Sequence, residues 1–159
     1  MRKGFTLVEN IMVIILIGLL FAGVSVYIQE SINSWVFISE QKELLLEARG
    51  AMTRLTRELK TTNRNVNLTV HASSEVTFRN IQNDSITFRQ DGTTLKRNAD
   101  ILADKLAIPG GLSFRYLDAT GNETGSSNLI ESIRIRLTIV NGQNKFVLES
   151  SVGLRMKRL

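Results

Sequence analysis

The sequence predicts an α+β protein, with one long N-terminal helix packed on an antiparallel β-sheet domain. The first half of the helix is membrane-spanning and the second amphipathic. Three observations carry this. No charged residue occurs from Ile11 to Ile28. From Gln29 to Thr61 the chain has no proline and a single glycine, Gly50, so nothing stops a helix there. Beyond that point the apolar residues switch to alternate positions, the period of a strand. The length of 159 residues suits one globular domain plus one long helix.

The opening stretch is MRKGFTLVENIMVIILIGLLFAGVSVYI. About 20 apolar residues cross the hydrocarbon of a bilayer as a helix. Arg2 and Lys3 just ahead of the run predict a cytoplasmic N-terminus. Glu9 breaks the pattern, since a carboxylate at the edge of a membrane segment is costly and marks pairing or function. A secretory signal would carry small residues after the apolar run, and Ala22-Gly23-Val24-Ser25 is a poor version of that. Gly18 and Gly23 are points where the helix could bend or admit close packing. Trp35 suits either the membrane interface or a contact with the domain.

In the second half of the helix, Leu45, Ala48, Met52, Leu55 and Leu59 recur at steps of three and four and lay one apolar stripe. Glu43, Glu47, Arg54, Arg57 and Glu58 fall mostly off it. The helix signal ends at Thr61-Thr62-Asn63-Arg64-Asn65. At 1.5 Å per residue, a helix from Thr6 to Thr61 is about 80 Å long.

The strands follow. Val76 and Phe78, then Ile86 and Phe88, alternate with polar neighbours. Asp91-Gly92 marks a hairpin, with positive φ expected at both central residues. Pro109-Gly110-Gly111 breaks the chain ahead of Leu112-Ser113-Phe114-Arg115-Tyr116, and a polar loop runs from Asp118 to Asn128. Ile133, Ile135, Leu137 and Ile139, interleaved with Arg134, Arg136 and Thr138, form the clearest strand. Asn141-Gly142 turns it into a partner carrying Phe146, Leu148 and Val152. One face of this hairpin should be buried and the other wet.

Gly4-Phe5-Thr6-Leu7-Val8-Glu9, placed behind a short basic leader and ahead of the apolar run, resembles the type IV prepilin cleavage signature. The resemblance implies cleavage after Gly4 by a prepilin peptidase and N-methylation of the new N-terminus, Phe5. The family glutamate falls on Glu9. In a staggered filament it would neutralise the Phe5 amine of a neighbouring subunit and set the assembly register, since each charge is costly alone at the membrane edge. The chain then divides into a leader at 1–4, a transmembrane helix half at 5–28, an amphipathic half at 29–62 and a periplasmic β-domain at 63–159. The run from Ser85 to Arg97 and the late strands resemble the β-domains of minor prepilins, closest to J-type minor pseudopilins of type II secretion and W-type minor pilins.

Composition narrows the function. The chain has no Cys, which excludes disulfides and thiolate metal sites and departs from the many major pilins that close a C-terminal loop with a disulfide. Its net charge is +5, and losing Arg2 and Lys3 would leave 18 basic residues against 15 acidic. That mild excess makes nucleic acid an unlikely partner. No catalytic cluster is visible and no cofactor is expected. His71 has no patterned carboxylate around it, and Gly110-Gly111 follows a proline into a strand, unlike a phosphate loop. Asp118, Asn122 and Glu123 offer oxygens to calcium but match no motif. The tail Arg155-Met156-Lys157-Arg158 reads as a solvated end.

The expectation is therefore a structural subunit, not an enzyme. It is held in the inner membrane by a single pass with its C-terminal domain periplasmic. After processing by the peptidase and methylase, it joins other pilin or pseudopilin subunits through its N-terminal helix. The alternative is a surface or DNA-uptake pilin in which Arg79, Arg89, Lys96 and Arg97 line a basic strip.

Overall fold

The computed structural model describes residues 6–61, 68–80 and 82–154, without the side chains of 69–71. Gly4, Phe5, the expected helix end at residues 62–65 and the basic tail lie outside them. So does the side chain of His71.

Helix α1 spans Leu7–Lys60, 54 residues. Gly18, Gly23 and Gly50 all lie inside it. The chain divides into two compact units that part between Lys42 and Glu43. In the second unit the expected stripe is the buried one. Ala48, Met52, Leu55 and Leu59 are buried together with Ala51, while Leu45 is half-buried.

The strands are β1 (Leu68–His71), β2 (Glu75–Arg79), β3 (Ser85–Asp91), β4 (Thr94–Arg97), β5 (Asp100–Ala103), β6 (Leu112–Leu117), β7 (Ser132–Asn141) and β8 (Asn144–Gly153). They form two antiparallel sheets where the sequence suggested one: β1-β2-β3-β4-β5 and β6-β7-β8. The break between them has a local cause. After β5 the chain passes Lys105 at φ 58° and Gly110 at φ 79°, conformations no strand can hold. Residues 105–111 then run beside the far end of β7. Ala107 N–H donates to Thr138 C=O at 2.9 Å, and Thr138 N–H donates to Gly111 C=O at 2.6 Å. Leu106 N–H reaches back to Thr93 C=O at 2.7 Å, tying this segment to the first sheet. Gly111 is required here, because a Cβ would sit 2.6 Å from Ala107 C=O. The same cover explains Thr138, which is buried on a face that Arg134 and Arg136 leave wet.

Both hairpin turns fall where Asp-Gly and Asn-Gly predicted them, but one residue later. Asp91 pairs with Thr94 and Asn141 with Asn144, so the central pairs are Gly92-Thr93 and Gly142-Gln143. Only the glycine of each has positive φ, 59° in both, the pattern of a type II′ turn. Asp91 and Asn141 thereby become the last residues of their strands.

One core joins the helix stripe to both sheets. Phe78 and Phe88 stack with ring centroids 6.1 Å apart at its first-sheet side. Ile133, Ile135, Leu137 and Ile139 supply the second-sheet side, each at most 1 % exposed. Of the partner strand's apolar set, Val152 is buried, whereas Phe146 and Leu148 are half-buried.

Candidate functional site

The candidate site is the surface of α1 from its start to Ile38. The helix begins with a cap written into the sequence. Thr6 precedes it, and Glu9 N–H donates to Thr6 Oγ1 at 3.3 Å while Asn10 N–H donates to Thr6 C=O at 3.2 Å. Thr-x-x-Glu ahead of an apolar run is the capping-box spacing, a signal that the cleavage signature overlaid. A carboxylate in the first turn also faces the positive end of the helix dipole. Glu9 thus has a local reason to stand here that is independent of any neighbour.

Every described side chain from Thr6 to Ile38 is exposed. Leu7, Ile14, Leu19, Leu20, Phe21 and Val26 each leave 60 % or more of their surface open. A continuous apolar face of this size is far beyond what a soluble monomer exposes, so bilayer or protein must cover it. Two hydroxyls of this segment are satisfied within the helix. Ser25 Oγ donates to Phe21 C=O at 2.8 Å, and Ser31 Oγ donates to Tyr27 C=O at 2.9 Å. Such back-bonding lets a hydroxyl enter hydrocarbon without an unmet donor.

The helix also sets a length. Glu9 and Glu30 are the carboxylates at the two ends of an uncharged stretch of 20 residues, and the 21 helical steps between them span about 31 Å, close to the thickness of the hydrocarbon core. Beyond Glu30 the apolar surface resumes. Ile32, Trp35, Val36, Phe37 and Ile38 are all exposed, Trp35 at 71 %. Only Trp35 of this collar stood out in the sequence.

The other sequence candidates do not assemble into a site. Lys96 and Arg97 are neighbours on β4 and therefore face opposite sides of the sheet. Lys96 Nζ bonds Asp91 at 2.6 Å, and Arg97 bonds Glu58 at 2.9 Å. Arg79 donates to Asn83 Oδ1 at 3.1 Å. Arg89 lies opposite Lys96 in the ladder, but the four do not form one strip. In the Asp118 loop, the Asp118 carboxylate accepts from Thr120 N–H, Thr120 Oγ1 and Asn122 N–H at 2.7–2.9 Å. Those bonds, the Thr120 hydroxyl first, hold its carboxyl below the usual aspartate range. Glu123 pairs with Arg115. Among the described residues, no group of three or more His, Cys, Asp or Glu could hold a metal ion.

Comparison with known families agrees with this geometry. Residues 1–25 match the family described as the prokaryotic N-terminal methylation motif. With the long apolar helix and the β-domain behind it, that match supports a type IV prepilin-like protein. The matched segment takes in the start of α1, and the β-domain lies outside it. No curated protein matches the chain. Motif and helix together fit membrane anchoring.

Proposed function

We propose that this chain is a structural subunit of a type IV pilus or type II secretion pseudopilus, and that binding rather than catalysis is its work. It waits in the inner membrane with α1 as its anchor and the β-domain on the periplasmic side. The peptidase cuts after Gly4, Phe5 is methylated, and the mature chain leaves the bilayer by exchanging lipid for the helices of neighbouring subunits. Glu9 sets the register against a neighbour's Phe5 amine. The absence of Cys and the likeness of the β-domain to J-type and W-type proteins favour a minor subunit. The supporting observation is the wholly exposed apolar surface from Leu7 to Ile38 behind a methylation motif. Such a surface is equally at home in lipid and in a bundle of like helices, as a subunit moving from membrane to filament requires.

The test is the intact mass and N-terminal sequence of the protein recovered from membranes of its own host. A mature chain beginning at methylated Phe5 is expected. A chain beginning after Ala22 or Gly23, or an uncut chain, would overturn the reading.

A further inference from the structure

The charges along α1 are segregated by flank. Taking the helix at roughly 100° per residue, Glu43 and Glu47 lie about 100–140° to one side of the buried Ala48-Leu55-Leu59 line, and Arg49 and Lys60 lie about 100–120° to the other, with Arg57 on the side away from the line. All five are exposed. The acidic flank is not neutralised by its own helix, since the positions three and four away from Glu43 and Glu47 hold no Lys or Arg. Like charges stacked at this spacing repel. The basic flank is equally unmet, with Arg49, Arg57 and Lys60 in no ion pair among the described residues. Pairing along the helix is nonetheless used where it is available, for Arg54 and Glu58 meet at 3.2 Å.

The basic flank is also concave. A groove of about 510 Å³ runs between α1 and β8, floored by Met52 and Leu148 and rimmed by Arg49, Arg57 and Lys60. Its acid, Glu149, is held by Arg136 at 2.5 Å and leaves the rim cationic. β8 is an edge strand of its sheet.

We propose that this groove receives Glu43 and Glu47 from a second copy of the chain. One chain carries both halves of the contact on different surfaces, so the contact is heterologous and joins two neighbouring copies without closing on a symmetric dimer. For copies anchored in parallel in one membrane, as the proposed function has them, the acidic flank of one meets the basic flank of the next only with an axial offset on the order of 15 Å. The contact therefore adds a second register, outside the membrane, to the one proposed at Glu9. It also selects against a parallel neighbour in zero stagger, which would set like charges level with each other.

The native chain has no Cys, so introduced thiols report cleanly. Two differently tagged full-length copies are expressed together in host membranes, one carrying Glu47→Cys and the other Arg57→Cys, and a mild oxidant is added. A disulfide between the two tags is expected, with little product from either variant paired with itself. Adding Glu43→Lys to the first copy should lower the yield about tenfold, and Arg49→Glu with Lys60→Glu in the second should restore it. The proposal is overturned if no mixed product forms, if Glu43→Lys leaves it unchanged, or if the 47–47 product equals it. A Leu16→Cys pair reports association through the apolar helices. Its cross-link without the 47–57 product would sink the groove contact and leave the filament reading standing, whereas loss of both would sink both.

Discussion

Arg97 on β4 donates its Nε–H toward both carboxylate oxygens of Glu58, near the end of α1, at 2.9 Å each. Both side chains are about one-fifth exposed, and Arg54 approaches the same carboxylate at 3.2 Å. The last turn of the helix is thereby tied to β4 of the first sheet, where the apolar stripe runs out at Leu59. Removing Arg97 leaves the Glu58 carboxylate to Arg54 on its own helix and cuts this tie to the sheet, in a site only about one-fifth exposed. Arg97→Ala should lower stability by about 1–3 kcal/mol, and Arg97→Lys should recover only part of it because the ammonium lacks the planar guanidinium that aims Nε–H between the two oxygens. Denaturation of the full chain in detergent micelles checks this, and an unchanged midpoint would mean the pair contributes nothing.

Gln90 at the end of β3 joins the two sheets through its amide. Its Nε2 donates to Gly92 C=O and Ala107 C=O at 2.9 Å, and its Oε1 accepts from Leu112 N–H at 2.8 Å. Leu112 is buried, so its N–H has no easy substitute partner. Gln90→Leu should cost about 2–3 kcal/mol. Gln90→Glu keeps the acceptor but loses both donors, and should fall between. Backbone hydrogen exchange at Leu112, faster in both variants, would separate this local opening from a general loss of stability.

Gln90 marks the limit of what the sequence could say. The helix, its buried stripe and the Ile133-to-Ile139 strand were legible because each is a repeated local pattern that the core then obeys. The split into two sheets was not. It depends on Lys105 and Gly110 in the left-handed region and on a glutamine amide bridging residues 17 and 22 positions away, none of which has a period. The hairpins were placed by Asp-Gly and Asn-Gly, yet their centre shifted by one because Gly92 and Gly142 alone take the positive φ. At the helix start the motif drew attention to Glu9 for assembly and hid the ordinary cap that Thr6 forms. The groove beside β8 needed the fold, since nothing in the order of residues brings Arg57 next to Leu148.

Acid should loosen the β3–β4 hairpin before the core. The Lys96 ammonium, hydrogen-bonded to Asp91 at 2.6 Å, holds the Asp91 carboxyl below its ordinary value, with Arg89 adding to the effect. A carboxyl depressed in the folded state contributes stability above its unfolded value, and that contribution is lost as pH falls through the folded one. Asp91 is exposed, so the effect is local and salt-sensitive. Its side-chain carbon shift in an NMR titration should show a midpoint below that of an ordinary aspartate. In Lys96→Ala the midpoint should move up, and no movement would assign the depression to something other than Lys96.

Two explanations of Glu9 make different demands on Thr6. If Glu9 matters only because it completes the helix start, then removing the Thr6 hydroxyl should disturb the same first turn, since Glu9 N–H bonds that oxygen. A lost cap costs about 1 kcal/mol, enough to fray a turn but not to unseat a helix of 54 residues. If Glu9 instead pairs with a neighbour's terminal amine, the charge is what counts, and Thr6 is indifferent. Thr6→Ala should therefore be cut after Gly4, remain in the membrane and enter filaments at close to the normal level. Glu9→Gln keeps the shape and loses the charge, so it should be cut and retained but incorporated far less well. Quantifying mature chain in sheared filaments against mature chain in membranes reads both variants on one gel. Equal losses for Thr6→Ala and Glu9→Gln would transfer the role of Glu9 from register to capping.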